Sequence, residues 1–388
     1  MKDLLLGLEA EGHQALACYG RDVAGLKSTA KKISSSWEVY LHAAMTRLSG
    51  WTGKFSPMAT RECIAQIKAF KPDVVHLHEL HGYFINYSEI IDYLKSSGIP
   101  VLWTFHCEFM YTGKCGYAYE CENWLTECGN CPQLSVYPSS LVFDRTREMF
   151  NQKKEIFRGF DRLKIITPSA WLADRVRQSF LSEKQVGVIY NGIDVDDLFK
   201  PQLTTSLRDK LGIKTKHVIV SIAPDIMSER KGGQWVIDLA ARCIKNDVTF
   251  VMVGAENPLD VSAPNVLVLP RVSDKRELAK YYSLGDFFLL TSKKETFSLV
   301  CAESLACGTP VIGFEAGAPT EVAPSGYGLF VEYGNLDKLQ DGILNALRDR
   351  NSFKTATECA AYAANMFSKR KMVQFYLAEY NSLYRARK

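Results

Sequence analysis

Long apolar runs are missing from this sequence of 388 residues. No stretch approaches the roughly 18 consecutive apolar residues that a membrane-spanning helix requires, and no secretory signal peptide is visible. Low-complexity segments and short-period internal repeats are also missing. The composition, 47% hydrophobic and 23% charged, is that of a globular protein. These properties predict a cytoplasmic enzyme.

A strong excess of one charge is missing as well. The formal net charge is only +4, which does not indicate a nucleic-acid-binding protein. Basic residues gather between positions 145 and 184, but acidic residues are interleaved with them. A solvated helical face is therefore the favoured interpretation, and contact with an anionic membrane surface is the alternative.

The usual opening of a doubly wound α/β domain is not found in this sequence. Such a domain begins with a strand, a glycine-rich loop and a helix. Here residues 2–11 already have the apolar stripe of a helix, and residues 14–20 have the pattern of the strand after it. Either an opening strand and loop lie upstream of Met1, or the fold does without them.

Strands and helices alternate along the chain. Its length favours two domains, and the Asn-Gly turn and short polar residues of 191–201 favour a connector between them. Strands are predicted in the first half at 71–78, 100–105, 163–167 and 185–190, and strands alternate with helices from position 217 onward. This alternation predicts parallel sheets.

The most informative stretch is residues 291–321, which follows a buried strand. It has the pattern of a polar loop containing Glu295, a short helix containing Glu303, a Gly-Thr-Pro turn and another strand. A loop that enters a helix after a parallel strand presents unpaired N–H groups at the ligand crevice of an open sheet. Two carboxylates there suit sugar hydroxyls, because each accepts several hydrogen bonds. Ordinary surface charges are the alternative.

The run ETFSLVCAE from Glu295 to Glu303, with its continuation SLACGTPVIGF, resembles the signature of the retaining glycosyltransferases of family 4. The resemblance implies an α/β protein of the GT-B fold, in which two Rossmann-like doubly wound parallel-sheet domains face each other across a cleft. It implies an acceptor-binding domain at 1–192 and a nucleotide-sugar-binding domain at 193–369. A C-terminal helix at 370–388 is expected to pack back on the first domain.

The same resemblance implies donor-binding roles for the residues of this run. Glu303 would hold the ribose hydroxyls and Glu295 the sugar hydroxyls. The backbone N–H groups of Phe297, Ser298 and Leu299 would contact sugar and phosphate. Many relatives have glycine where this chain has Ser298, so the backbone here is expected to approach a ligand less freely.

The segment SERKGG places basic residues next to glycines at the predicted start of a helix. Cations in such a place are suited to binding a diphosphate, and an exposed basic loop is the alternative interpretation. The family has a basic pair in this place. Lys231 matches its lysine, but Asp225 or Ile226 stands where its arginine is expected. Arg230 is therefore the candidate for the second charge.

Two further donor-binding candidates follow later strands, whose ends border the nucleobase in the family. They are Gly254 and Arg271. A plain surface residue is the alternative for Arg271.

His106 follows a predicted strand in the segment WTFHCEFMYTGKC. Ligands collect at the carboxyl ends of parallel strands, although a packed or surface histidine is the alternative. The segment resembles a motif of family 4 enzymes of exopolysaccharide synthesis, whose histidine lies against the donor sugar. The resemblance implies that His106 and Glu295 are catalytic. Cys107 replaces the aspartate of the motif, and Glu108 is a candidate for its partial substitute.

Three further histidines, at positions 76, 78 and 81, follow another predicted strand. Their spacing does not put all three on one face of the strand. We expect them to make structural hydrogen bonds or to line an acceptor cleft.

The sequence contains eleven cysteines. Four of them are clustered, and the last two have the spacing of a metal knuckle: Cys115, Cys121, Cys128 and Cys131. Four thiolates suit a structural, tetrahedral zinc ion, and reduced thiols without metal are the alternative. Stable disulfides are not expected in the cytosol.

The resemblance covers nearly the whole chain. It implies a glycosyltransferase of the hexosyltransferase type that moves a sugar from a UDP- or GDP-sugar to a saccharide acceptor. The acceptor would be lipid-linked, at the inner membrane face, in surface polysaccharide biosynthesis, and the transfer would require no cofactor or metal. A sugar-nucleotide epimerase of the same fold is one alternative. A sugar-nucleotide-binding protein without transfer activity is the other, because the missing glycine loop normally approaches the donor phosphates.

Overall fold

The structure is a computed structural model that describes residues 1–21, 29–256, 261 and 263–387. The chain divides into two compact units. Unit 1 comprises Met1–Ile189 and the residues from Met372 onward, and unit 2 comprises Tyr190–Lys371. The predicted domain limits at 192/193 and 369/370 lie two or three residues from these divisions.

The described part of unit 1 contains six short strands in two parallel sheets. Its strands are β1 (Ala17–Tyr19), β2 (Ala30–Lys32), β3 (Val75–Leu77), β4 (Val101–Thr104), β5 (Leu163–Thr167) and β6 (Gln185–Val188). One sheet has the order β1-β2, and the other has the order β3-β4-β5-β6. Within the described ranges, no strand joins β1 to β3.

The helices of unit 1 alternate with these strands. They are α1 (Lys2–Ala10), α2 (Ser36–Ser49), α3 (Pro57–Phe70), α4 (Tyr87–Ser97), α5 (Thr146–Phe157) and α6 (Ala170–Gln178). None of the helices in the described part of the chain combines the length and apolar character that a bilayer span needs.

The strands described in unit 2 form a six-stranded parallel sheet with the order β12-β11-β10-β7-β8-β9. Its strands are β7 (His217–Ile222), β8 (Val248–Ala255), β9 (Val266–Pro270), β10 (Phe287–Leu290), β11 (Val311–Phe314) and β12 (Gly328–Val331). Counted within the unit, this is the doubly wound order 3-2-1-4-5-6, read from the opposite edge. The strand order reverses between β7 and β10, so the crevice for ligands is expected where these two strands end.

The helices from residue 205 onward precede, connect or follow the strands of unit 2, and the last of them continues into unit 1. They are α7 (Thr205–Lys210), α8 (Gly233–Arg242), α9 (Lys275–Leu284), α10 (Leu299–Ala306), α11 (Pro319–Val322), α12 (Leu336–Arg348), α13 (Ala356–Phe367) and α14 (Lys369–Arg387).

Strand β10 is buried on both faces, which explains its unbroken FFLL sequence. Phe288 and Leu290 belong to one apolar core, and Phe287 and Leu289 belong to the core on the opposite face. Alternate residues of a strand point to opposite faces. The sheet therefore holds the loop after Leu290 on a rigid base.

The last helix, α14, contributes to the core of unit 1. Val373 and Tyr376 pack with Leu102 of β4 and Ile166 of β5, and the Glu379 carboxylate accepts a 2.6 Å hydrogen bond from Lys164. Unit 1 is thus completed by residues almost two hundred positions away in the sequence.

Candidate functional site

The loop between β10 and α10 lies where the strand order of unit 2 reverses. The backbone N–H of Glu295 donates to the carbonyl of Ala316 at 2.7 Å, and the N–H of Ala318 donates to the carbonyl of Glu295 at 3.1 Å. These bonds tie the loop to the segment after β11. The Glu295 side chain is thereby held at the carboxyl edge of the sheet.

Two cations converge on the Glu295 carboxylate. Lys231 Nζ donates to Glu295 Oε1 at 2.5 Å, and an Arg230 guanidinium nitrogen lies 3.5 Å from the same oxygen. The side chains of Lys231 and Glu295 are only 11% and 10% exposed. The structure therefore brings together three of the residues predicted to bind the donor, in a place where charges are poorly screened.

The loop that carries these cations is fastened to the loop of Glu295. The Thr291 hydroxyl donates to the Lys231 carbonyl at 2.9 Å, and the Lys293 N–H donates to the Arg230 carbonyl at 2.8 Å. Between them, Gly232 has a φ of +68°, and a Cβ there would lie 2.4 Å from the Thr291 carbonyl oxygen. Only glycine allows this close approach.

Glu303 has an environment unlike that of Glu295. The hydroxyl of Tyr282 on α9 donates to Glu303 Oε2 at 2.8 Å. Burial raises the pKa of Glu303 to about 7, and the Tyr282 hydrogen bond opposes that shift. A carboxyl group that is half protonated near neutral pH can either donate or accept a hydrogen bond. Sequence analysis did not identify Tyr282, because nothing local links it to a residue 21 positions later.

The start of α10 presents its backbone. The Phe297 side chain packs on the rings of Tyr190 and Phe367, which leaves its backbone as the group that a ligand could contact. Ser298 caps α10 with a φ of +80°, in the left-handed region that glycine adopts most easily. Leu299 is exposed.

Gly254 and Arg271 are placed differently from the group around Glu295. Gly254, the penultimate residue of β8, has a φ of +117°, and a Cβ there would lie only 1.6 Å from the Ala223 carbonyl oxygen. The structure thus supplies a packing reason for this glycine. Arg271 is exposed after β9, the edge strand of the sheet.

In unit 1, His106 lies two residues after the end of β4, in a group of histidines. His106 Nε2 is 3.0 Å from His78 Nδ1. The planes of the two rings are nearly parallel, at 13° to each other. Burial lowers the pKa of both imidazoles. At neutral pH we therefore expect two uncharged rings that share one proton between these nitrogens.

His76 has a structural role, as the sequence interpretation allowed. Its Nδ1 is 2.6 Å from the Tyr380 hydroxyl, and its Nε2 is 2.8 Å from the Thr104 hydroxyl. The Thr104 hydroxyl is also 2.9 Å from that of Tyr376. These bonds join the end of β4, just before His106, to helix α14.

Glu79 is a site residue that sequence analysis missed. One carboxylate oxygen accepts the His106 backbone N–H at 2.9 Å, and the other is 2.7 Å from His81 Nδ1 and 3.1 Å from the Cys107 thiol. Burial raises the pKa of Glu79, but these hydrogen bonds and nearby histidines outweigh it and lower the pKa to about 2. The available signal was its position among three histidines.

The suggestion that Glu108 substitutes for the aspartate of the motif is wrong. Glu108 is fully buried and accepts hydrogen bonds from Arg175 at 2.6 Å, from the Tyr111 hydroxyl at 2.9 Å and from the Ala118 N–H at 2.7 Å. A buried carboxylate with these partners has a structural role. The carboxylate beside Cys107 is that of Glu79.

The four clustered cysteines do not form a compact set of ligand atoms. The thiol of Cys115 donates to Cys131, which lowers the pKa of Cys131 to about 7, and Cys128 accepts the Gly113 N–H at 3.1 Å. Among described residues, one trio brings potential metal ligands within 4.8 Å of one another, Glu79, His81 and Cys107. A zinc ion bound by the four cysteines would require their side chains to move, and it stays a prediction.

Comparison with known protein families matches almost the entire chain. The model described as Glycosyltransferase Family 4 matches residues 1–197, and the model described as Glycosyl transferases group 1 matches residues 216–349.

Two curated relatives illustrate the range of similarity. WcaC of Escherichia coli, named as a colanic acid biosynthesis glycosyl transferase, is 25% identical over 319 residues, which cover 80% of this chain and 77% of WcaC. The Campylobacter jejuni N-acetylgalactosamine-N,N'-diacetylbacillosaminyl-diphospho-undecaprenol 4-alpha-N-acetylgalactosaminyltransferase is 27% identical over 215 residues. That match covers 52% of this chain and 55% of the relative.

Solved structures share the fold at low identity. Sucrose-phosphate synthase from Thermosynechococcus elongatus has a TM-score of 0.72 at 19% identity, covering 99% of this chain and 92% of that one. HepE from Anabaena, in complex with UDP, has a TM-score of 0.65 at 18% identity, covering 98% of this chain and 96% of that one. The family matches and these folds lead to one conclusion: the chain belongs to glycosyltransferase family 4 and is a glycosyltransferase of the GT-B fold.

Proposed function

We propose that this glycosyltransferase moves a sugar from a nucleotide diphosphate donor to a saccharide acceptor, with retention at the anomeric carbon, in surface polysaccharide biosynthesis. The observation that supports it best is the group of Lys231, Arg230 and Glu295 at the point where the strand order of unit 2 reverses. Ligands bind at that point in open α/β sheets.

The charges of this group are suited to an exchange of partners. Without a ligand, Lys231 and Arg230 share the Glu295 carboxylate. A diphosphate carries more negative charge and more acceptor oxygens than one carboxylate, so it competes for both cations. Glu295 is then free to accept hydrogen bonds from sugar hydroxyls. Neutralisation of the leaving diphosphate by Lys231 and Arg230 requires no metal ion.

The start of α10 and the segment after β4 supply the remaining proposed contacts. The unpaired N–H groups at the start of α10 would bind the diphosphate, and Glu303 would bind the ribose. His106, held by Glu79 and His78, would contact the donor sugar. The donor phosphate would assist the incoming hydroxyl on the same face of the sugar, which gives retention without a covalent enzyme intermediate.

Relatives indicate which donors and acceptors to test first. HepE has been solved with UDP and with UDP-glucose, so a UDP-sugar is the first donor and a GDP-sugar the second. The name of the Campylobacter relative gives a diphospho-undecaprenol-linked acceptor. We propose a lipid-linked saccharide acceptor for this chain as well, at the cytoplasmic face of the membrane.

Nucleotide release during incubation with UDP- and GDP-sugars and a lipid-linked acceptor tests this proposal. We expect nucleotide release that depends on the acceptor. In Glu295→Gln, kcat should fall about 100-fold or more, because the loss of one electrostatic contact to a transition state has an effect of this size. Lys231→Met should weaken donor binding. Lys293→Met is the matched control, because this partly exposed lysine of the Glu295 loop faces Glu229 at 3.6 Å.

Two results would contradict transfer. Measurable binding of nucleotide sugars without nucleotide release from any donor would indicate a binding protein without transfer activity. Release that does not need an acceptor, with an epimerised free sugar as the product, would indicate the epimerase alternative.

A further inference from the structure

Two segments that follow neighbouring strands of unit 1 bring a carboxylate, an imidazole and a thiol together. Glu79 and His81 follow β3, and Cys107 follows β4, which pairs with β3 in parallel. The two segments are also joined directly, because Trp103 Nε1 donates to the carbonyl of His78 at 2.9 Å. Since the carboxyl ends of parallel strands meet at one edge of a sheet, the fold itself places these three side chains side by side.

We call Glu79, His81 and Cys107 the ligand trio, because each offers a metal ion one ligand atom, and these atoms all lie within 4.8 Å of one another. Glu79 Oε2 is 2.7 Å from His81 Nδ1 and 3.1 Å from Cys107 Sγ. Around a tetrahedral zinc ion, with bonds of about 2.0–2.3 Å, such atoms lie about 3.4–3.6 Å apart. Each of the two short separations therefore has to open by less than about 1 Å, which side-chain rotation can supply.

The ring nitrogen of His81 is a ligand atom without a hydrogen bond. His81 Nδ1 is buried, and no group in the described part of the chain forms a hydrogen bond with it. It lies 2.7 Å from Glu79 Oε2, so the two atoms are close without being aligned as donor and acceptor. Metal ligands have this arrangement, because their lone pairs point to a shared ion and not to one another. A bound ion would give this buried nitrogen the partner that it lacks.

The surroundings of the ligand trio hold two of its members in place. The second oxygen of Glu79 accepts the His106 backbone N–H at 2.9 Å, which fixes the carboxylate and leaves Oε2 for the trio. The His81 ring stacks on that of Phe109, with 4.9 Å between the ring centroids, and Phe109 is itself buried. Outer partners of this kind orient metal ligands and strengthen the binding of the ion.

We propose that Glu79, His81 and Cys107 bind one zinc ion. A thiolate and an imidazole favour zinc over magnesium and calcium, which prefer oxygen ligands. On binding, the Sγ–H bond of Cys107 is replaced by an Sγ–Zn bond, and the proton passes to solvent. The Glu79 carboxylate and the Cys107 thiolate then neutralise the two positive charges of the ion. Three protein ligands leave the fourth tetrahedral position to a water molecule.

This metal site is separate from the transfer reaction proposed above, in which no metal takes part. Its effect on the protein is local. Because Glu79 also holds the His106 N–H, an ion bound by the ligand trio would join the segments after β3 and β4 and fix the backbone that carries His106.

Metal analysis of the full chain tests the proposal. The four clustered cysteines are the competing ligands, so the test uses Cys121→Ser/Cys131→Ser as its parent protein, in which two of those four thiols are removed. After loading with zinc and removal of the excess, we expect one zinc ion per chain of this parent. Loading with cobalt instead should produce the absorption bands of a tetrahedral ion with a thiolate ligand.

Loss of one ligand should weaken zinc binding at least about 100-fold, since loss of an outer partner alone costs about 10- to 100-fold. Cys107→Ser and His81→Gln in the parent protein test this by competition with a chromogenic chelator. The matched controls are Cys243→Ser, at a buried cysteine of unit 2, and His13→Gln, at an exposed histidine. Both should bind zinc like the parent. Melting temperatures show that each variant is folded, and zinc should raise the melting temperature of the parent but not of the two ligand variants.

Two results would overturn the proposal. One is a parent protein that holds neither zinc nor cobalt. If the wild type nevertheless binds zinc, the ion belongs to the four clustered cysteines. The other is zinc binding by the parent that both Cys107→Ser and His81→Gln leave unchanged. Neither result involves a donor, an acceptor or the release of nucleotide, so this proposal and the transfer reaction can fail separately.

Discussion

At the scale of single residues, two carboxylates of one short segment have opposite electrostatic surroundings. Glu295 is neutralised by Lys231, whereas Glu303 faces a tyrosine hydroxyl and is buried enough for its pKa to rise to about 7. Glu295 thus forms an ion pair, whereas the Glu303 carboxyl group changes its protonation near neutral pH. The difference arises from their neighbours, because the two side chains are chemically the same.

The raised pKa of Glu303 predicts a pH-dependent stability. A group whose pKa is higher in the folded state contributes stability below its unfolded pKa and loses it as pH rises through the folded value. Here the loss occurs between about pH 4.5 and 7. Glu303→Gln, which cannot ionise, should therefore gain up to about 3 kcal/mol relative to the wild type between pH 4 and pH 8. Urea unfolding of unit 2 at both pH values measures this, and a pH-independent difference would contradict it.

The contact between Cys107 and Glu79 leads to a second prediction, about the stability of the metal-free protein. The buried thiol donates to the Glu79 carboxylate, so Cys107→Asp, which restores the carboxylate of the family motif, would place two anions together. We expect a loss of about 2 kcal/mol in the free energy of unfolding. In a Glu79→Gln background the same change should cost at least about 1 kcal/mol less. A double-mutant cycle measures the coupling, and additive effects would show that the two side chains do not interact.

At the scale of elements, the proposed donor site is made of loops fixed by parallel strands. β7 and β10 are neighbours in the sheet, and the loops that follow them are joined through Thr291, Lys293 and Gly232. The carbonyl of Ala223, just after β7, leaves no room for a side chain at the end of β8. Packing therefore sets the positions of Lys231 and Glu295 before any ligand binds.

Gly254 tests this view of the sheet. With Ala at this position, the new Cβ would overlap the Ala223 carbonyl oxygen in a backbone of positive φ, so Gly254→Ala should cost more than about 4 kcal/mol or prevent folding. Gly212→Ala is the control, because Gly212 also has a positive φ, of +65°, but no atom within 4 Å. It should cost only about 1–2 kcal/mol of left-handed strain.

Soluble yield and urea midpoints of the two variants give the comparison. If Gly254→Ala folds with wild-type stability but no longer binds a nucleotide sugar, this glycine contacts the ligand, and the packing explanation is wrong.

At the scale of the whole molecule, the chain returns to unit 1 after completing unit 2. Residues from Met372 onward belong to unit 1, where α14 covers one face of the sheet and bonds to the end of β4. His106 follows that strand. The C-terminal helix therefore supports the histidine group from a distance in sequence, although it contributes no residue to it.

Truncation after Lys371 should destabilise unit 1 selectively. It removes the contacts of Tyr376 with Thr104, of Tyr380 with His76 and of Glu379 with Lys164, and it exposes the apolar residues beneath α14. We expect faster hydrogen exchange in β4 and β5 and unchanged exchange in β7 and β8. Tyr380→Phe is the milder control, since it removes one hydrogen bond worth about 1 kcal/mol. Equal exchange changes in both units would contradict this assignment.

Much of the fold could be predicted because its signals are local. Apolar runs, glycine turns and the alternation of strands and helices indicated parallel sheets in two halves, and the motif around Glu295 indicated the family. The exposed apolar face of α2, which includes Trp37, was missed, because residues 28–56 have only weak helical patterning and the helix buries its polar face. Rotation of a helix depends on its partners, here Ala59 and Ser56 of the α3 start.

The sequence by itself therefore determined the alternation of strands and helices, the family and the residue types of the proposed donor site. Tertiary structure alone decided how these residues pair: Lys231 with Glu295 over 64 positions, Glu79 with Cys107 over 28, and Tyr282 with Glu303 over 21. Backbone conformation follows short-range patterns, whereas the partner of a buried polar group depends on which distant segments the sheet order brings together. That is also why Glu108 was a reasonable candidate from its place in the sequence, whereas in the structure it pairs with Arg175 and the carboxylate beside Cys107 is that of Glu79.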